Sequence, residues 1–297
     1  MTALRLGTRR SPLALAQASF VAARLAARGV ATSIVEVETS GDRRREEALS
    51  SLGGQGVFAV EIQAALLVGE VDVAVHSAKD LPSTSPEGLV LASVPERRDA
   101  ADVLVGRALA GLGPGASVAT GSPRRRALIL ERRPDLHVVE LRGNMATRLA
   151  RAGRDVDAVI AAAAALERLG ESGLVAERLD PEWFVPQVGQ GALALEARAD
   201  DEATRAVLAL IDDDVAHATL RAERSFLRTL GAGCTVPAGA HARHHAGTLS
   251  LSGVMLAVDG SLSVRGLMSG EDPEALGAAL ATQLADERDG RLLAGWQ

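Results

Sequence analysis

Two separated segments, "GTRRSP" from Gly7 to Pro12 and "TGSPRRR" from Thr120 to Arg126, share one layout. Each follows an apolar run, turns on Gly with Ser or Thr, carries arginines, and ends on a Ser-Pro pair of the kind that caps and opens a helix. Around each, strand and helix patterns alternate. "ALRLGT" leads to a helical segment from Pro12 to Arg28 closed by Gly29, then to "SIVEVET", a helical "VFAVEIQAALLVGE" and the apolar "VDVAVH". The series restarts with "ADVLVG" and "SVAT", a helix from Pro123 stopped by Pro134, "LHVVEL", a helix near Asn144 and "DAVIAAA". Two such runs predict two doubly wound α/β units with a cleft between them. After "GALALEA", a helix through Val207 and a long helix from Val215 to Leu230, the texture changes. "GTLSLSGVMLAVDGSLSVRGLMSG" alternates with a period of two and turns at Asp259-Gly260, and a last helix from Pro273 to Glu287 completes a small α+β unit. The 297 residues accordingly divide into domain 1 (1–96 and 191–211, α/β), domain 2 (97–190, α/β) and domain 3 (212–297, α+β).

Charge narrows the function. The net charge of −6 does not suit a general nucleic-acid binder, and no apolar run approaches the roughly 20 residues of a membrane span. One cysteine rules out a disulfide within the chain and fits a reducing cytosol. The arginines before Glu36 superficially suit an organelle transit peptide, but a strand followed by a capped helix argues against it. Of the 32 basic residues only Lys79 is a lysine, and the arginines cluster in "TRR", "SPRRR" and "LRGNMATR". Planar guanidinium forks suit carboxylates and phosphates, so focused clusters on an acidic protein point to an anionic ligand.

The clusters fall where strands give way to helices, the edge at which such sheets bind ligands. Backbone N–H groups at a capped helix start form an anion site, although capping alone also explains the Ser-Pro pairs. "HSAKD" puts Lys79 and Asp80 at a strand's end, either as an ion pair or as a proton-handling site. Cys234, in "LRTLGAGCTVPAG", is either a small core residue or a thiol with room beside it, since Gly231, Ala232 and Gly233 leave space. "HARHH" raises zinc through His241, His244 and His245, but the spacing fits no standard closed site. A thiol hydrolase using Cys234 and one of these histidines lacks an oxyanion-hole signature.

Taken in order, "GTRRSPLALAQA", "GGQGVFAVEI", "VAVHSAKDLP", "RRALILERRPDL", "LRGNMATRL", "PQVGQGALALE" and "GAGCTVPAG" carry a resemblance to the porphobilinogen deaminase (hydroxymethylbilane synthase) family over most of Leu4 to Gly239. The resemblance implies two units of periplasmic-binding-protein type. It implies a transferase that joins four porphobilinogen molecules head to tail, releases ammonia at each step and frees the linear tetrapyrrole hydroxymethylbilane. A dipyrromethane cofactor would hang from Cys234 through a thioether, and the small neighbours would be clearance for a pyrrole. The partners implied are porphobilinogen and the growing oligopyrrole, with no nucleic acid and no membrane, for a cytoplasmic monomer. Acetate and propionate side chains accumulate as the chain grows, which gives the arginines their purpose.

The resemblance makes Asp80 the catalytic carboxylate, stabilising cationic pyrrole and moving protons. Arg9, Ser11, Lys79, Arg124, Arg125, Arg142, Arg148 and Arg168 match the carboxylate-binding set, with Arg9 favoured over Arg10 by alignment on "SPLAL". Gln190 is expected near the cofactor and a hinge. "SGDRRREEALSSLGGQG" matches a mobile flap, and Phe58 either leans on pyrroles or belongs to the core. The chain departs from the family at Ala16, Gln55, Ala165, Glu167 and Ala232, which puts Arg168 most in doubt. A non-catalytic anion-binding module of solute-receptor type is the alternative.

Overall fold

A computed structural model describes residues 3–38, 59–231, 236–293 and 295–296. The chain forms two compact units, one of Met1–Arg98 with Ala192–Leu220, the other of Asp99–Gly191 with Arg221–Gln297.

In the first unit the strands are β1 (Leu4–Arg9), β2 (Thr32–Val37), β3 (Val73–Ser77), β4 (Leu89–Ser93) and, from the later segment, β10 (Leu193–Arg198). They form one sheet in the order β2-β1-β3-β10-β4, parallel from β2 to β3, with β10 antiparallel to both neighbours. Central β3 and β10 are buried along nearly their whole length because helices cover both faces, whereas edge strand β2 is not. Helix α1 (Pro12–Ala26) starts where the Ser11 hydroxyl accepts the Ala14 amide and Pro12 supplies a preset φ. Gly29, at φ +77°, ends the turn after it in a conformation that costs other residues. Ala18, Val21 and Leu25 of α1 meet Leu6, Val73, Val75, Leu193 and Leu195 on one face of the sheet. Helix α2 (Val60–Leu67) packs Ile62 and Leu66 with Ala74 on the other. Each fully buried aliphatic side chain contributes roughly 1.5–3 kcal/mol.

The second unit repeats the plan with β5 (Asp102–Val105), β6 (Ser117–Ala119), β7 (His137–Val139), β8 (Ala158–Ala162) and β9 (Val175–Arg178) in the order β7-β6-β8-β5-β9. Here β5 is the antiparallel member. The reversed strand is the last of the five in sequence in the first sheet, laid down when the chain re-enters the unit, and the first in the second sheet. Its helices are α3 (Pro123–Arg132), α4 (Met145–Leu149) and α5 (Ala163–Arg168), with Ser122 and Asn144 capping the first two.

Helix α6 (Glu202–Ala209) returns to the first unit, and α7 (Asp214–Leu230) begins there and continues into the second. Strands β11 (Ala238–His245), β12 (Thr248–Leu256) and β13 (Ser263–Gly270) then form an antiparallel meander, with the turn predicted at Asp259-Gly260 joining the last two. Helix α8 (Pro273–Thr282) packs on β12 and β13 and passes into a π-helical turn, Gln283–Glu287. Val254 and Leu256 of β12 share one core with Leu104, Val118, Leu128 and Phe184. Gly260 sits so close to α3 that an added Cβ would lie 2.5 Å from the Ala127 carbonyl oxygen. The small α+β part is thus packed on the second five-stranded sheet. Strands β4, β9 and β11 were not among those expected from the sequence.

Candidate functional site

Parallel strands deliver their following loops to one edge of a sheet, so the topology sorts the predicted residues. In the first unit, β1 and β3 are adjacent and parallel. Arg9 ends β1 and Ser11 follows it, and Lys79 and Asp80 follow β3, on the 3₁₀ turn Ala78–Asp80. Arg9 is half-buried, whereas Arg10 is exposed with its guanidinium 3.7 Å from Glu36. Ser11 is committed to the α1 cap. Asp80 is half-buried and makes no hydrogen bond or ion pair among the described residues.

In the second unit, β6, β7 and β8 run parallel and deliver Ser122 to Arg125, Arg142 to Arg148, and Arg168 to one edge. Arg124 and Arg125 turn inward and are buried. Arg124 donates to Asp102 and to the Val185 carbonyl, both at 2.7 Å. Arg125 donates to Asp102 at 2.9 Å, to the Ile160 carbonyl at 3.1 Å and to Gln190 Oε1 at 3.3 Å. The Gln190 amide donates to Asp102 at 3.0 Å and to the Ala100 carbonyl at 2.7 Å. Burial alone would raise the Asp102 carboxyl, but the two guanidinium groups and Gln190 hold it below the usual carboxylate range. Two cations facing one anion leave this buried node net positive, and Arg124 Nε has no hydrogen-bond partner in it. A ligand bearing several carboxylates fits that surplus.

The other arginines lie nearer the surface. Arg142 pairs with Glu140 at 3.0 Å, Arg148 donates to the Gly143 carbonyl at 2.7 Å, and Arg168 donates to the Gly191 carbonyl at 2.8 Å. His244 points to the opposite face of β11 from His241 and His245, and those two stand four residues apart along the strand, so the three do not converge. Cys234, Phe58, Gln55, Ala232 and the flap segment lie outside the described residues.

Sequence reasoning missed three buried carboxylates. Asp102 is one. Glu223 of α7 accepts the backbone amides of Gly189 at 2.7 Å and Ala242 at 2.9 Å, fastening the loop that carries Gln190 to β11. Glu196 of β10 accepts from Gln63 and Ser85, both at 2.8 Å, with His76 Nε2 at 3.2 Å. Burial pushes the Glu196 carboxyl up, yet these partners bring it below its ordinary value. The signal for Asp102 and Glu196 was an acid inside an otherwise apolar strand, which has to find partners.

The family model "Porphobilinogen deaminase, dipyromethane cofactor binding domain" matches residues 4–206, and the model for the C-terminal domain of the same enzyme matches 217–286. The chain belongs to the porphobilinogen deaminase family. Curated porphobilinogen deaminases of Roseiflexus sp. (strain RS-1) and Geobacter metallireducens are each 44% identical to it; the alignments cover 98% of this chain and, respectively, 99% and 94% of theirs. A periplasmic substrate-binding protein of an ABC transporter from Coxiella burnetii is 18% identical with a TM-score of 0.45, covering 72% of this chain and 94% of that one. At that distance the likeness says nothing of activity. The expected membership in the porphobilinogen deaminase family is borne out, and with it the expected enzyme class and dipyrromethane cofactor. No described helix is long and apolar enough to cross a membrane.

Proposed function

We propose that the chain polymerises four porphobilinogen molecules head to tail, with release of ammonia, to hydroxymethylbilane, and that Asp80 is its catalytic carboxylate. The observation that carries the assignment is Asp80 itself, a half-buried carboxylate at the C-terminal end of a central strand with no partner among the described residues. A carboxylate with no partner among the described residues is available to stabilise positive charge at a pyrrole nitrogen. It also accepts the proton that the α-carbon loses and returns one to the departing amine.

Held through Cys234, a dipyrromethane would supply the nucleophilic α-carbon from which the chain grows. Arg124 and Arg125 suit its carboxylates, because two guanidinium groups share one carboxylate and Arg124 Nε has no hydrogen-bond partner among the described residues. Arg9, Ser11, Lys79, Arg142, Arg148 and Arg168 hold the acetates and propionates of the substrate and the elongating product. Gln190 orients Arg125. We assign the chain a three-domain organisation (1–96 with 191–211, 97–190, 212–297), a cytoplasmic location and a monomeric state.

The test is an intact mass under denaturing conditions, recorded for this protein and for Cys234→Ser after incubation with porphobilinogen. A mass excess of two pyrrole units, absent from the variant, is expected. A bare chain in both would favour the non-catalytic anion-binding module and return Cys234 to the core.

A further inference from the structure

We propose that Glu196 is a positioning residue for Asp80, a reading that rests on the catalytic role given to Asp80 above. Asp80 stands on a single 3₁₀ turn, too short to hold a side chain's direction by itself. Glu196 grips the chain on both sides of that turn. Four residues before Asp80, the buried His76 ring packs against the carboxylate, with Nε2 3.2 Å from Glu196 Oε2 but outside hydrogen-bond geometry. Five residues after it, Ser85 donates its hydroxyl to Oε1 at 2.8 Å. The strand bearing Glu196 lies antiparallel to β3, with His76 opposite Ala194, and just beyond the ladder the Ala78 amide donates to the Ala192 carbonyl at 3.1 Å. Gln63 of α2 donates to Oε2 at 2.8 Å, which ties a third element to the same carboxylate.

Glu196 and His76 are both buried, so water does not compete for these contacts. The carboxylate accepts one donor on each oxygen, Gln63 on Oε2 and Ser85 on Oε1, with the His76 ring beside Oε2, whereas a neutral amide presents one acceptor and adds a donor where donors already converge. Glu196→Gln therefore keeps the shape and breaks the arrangement on one side. Its consequence at Asp80 is a small displacement, and displacements of that order lower rates while leaving binding groups elsewhere untouched.

The experiment is a double-mutant cycle on the cofactor-loaded enzyme, with kcat and KM for porphobilinogen and thermal midpoints recorded for each variant. Glu196→Gln is expected to lower kcat about tenfold with KM changed by less than about twofold. In an Asp80→Glu background, where the acid is already displaced by one methylene, the same substitution is expected to cost less than about twofold. Ser85→Ala, which removes only the hydroxyl on Oε1, is expected to lower kcat by several-fold and to add nothing to Glu196→Gln. Equal losses in both Asp80 backgrounds, or a loss carried by KM, would overturn the positioning role while leaving the role of Asp80 standing. Normal turnover in Asp80→Asn would instead remove the role of Asp80 and this inference with it.

Discussion

Arg124 donates to Asp102 across 2.7 Å with both side chains shut away from solvent. Arg125 joins the same carboxylate, so one aspartate from the first strand of the second unit fixes two consecutive arginines at the start of α3. Asp102→Asn would strand two buried cations, and loss of one partner from such a group costs about 3–5 kcal/mol. Urea unfolding of the purified variant is the measurement, with a fall in midpoint at unchanged slope expected.

Acid should expose the same carboxylates. Asp102 and Glu196 titrate below their ordinary values in the folded protein, so each adds stability that is fully present above the ordinary carboxylate range. That contribution disappears as pH falls through the depressed folded values. Thermal midpoints are expected to hold through neutral pH and to drop below about pH 4. An Asp102→Asn protein should show a shallower acid drop, and an equal drop would contradict the assignment.

Asp80→Asn should abolish turnover and leave stability nearly untouched, because the carboxylate makes no hydrogen bond or ion pair among the described residues. A loss of at least about a hundredfold in bilane formation is expected from removing a group that both moves protons and stabilises charge. Near-normal product in a fixed-time assay would refute it.

Arg142 is exposed and forms a surface ion pair with Glu140 at 3.0 Å, a kind of pair worth little in water and so suited to a clamp that exchanges partners. With Arg142→Leu, fewer pyrroles should accumulate. Native gels that resolve the enzyme–substrate intermediates would show the ladder cut short; a normal ladder would reject the role.

Gly260 combines a φ of +75° with a Cβ position 2.5 Å from the Ala127 carbonyl oxygen. Gly260→Ala should cost about 1–3 kcal/mol, since neither the turn nor α3 can yield. Unfolding that loses the β12–β13 hairpin first would be visible by hydrogen exchange.

Much of this organisation was legible because the informative residues are local. Ser11-Pro12 and Ser122-Pro123 announced two helix starts, and Asp259-Gly260 announced a hairpin. Strands β4 and β9 gave little signal because each is a short edge strand, and β11 hid behind alanines and histidines that read as a possible metal cluster. The buried acids were harder still. Asp102, Glu196 and Glu223 meet partners from 22, 133 and 34 residues away, for example Arg124, Gln63 and Gly189, and no spacing rule reaches that far. Arg124 and Arg125 illustrate the same limit: sequence marked them as cations for a ligand, and only the fold revealed the protein anion they share.

The reversed strand β10 occupies the space between β3 and β4. A ribosome therefore releases β4 long before its neighbour exists, and the first sheet stays incomplete until Arg198 has emerged. The second five-stranded sheet is encoded without interruption between Asp102 and Arg178, so it can close while the first waits with open edges. Vectorial synthesis thus favours a folding order opposite to the order of translation, and nascent chains arrested before β10 should be the ones that depend most on chaperones.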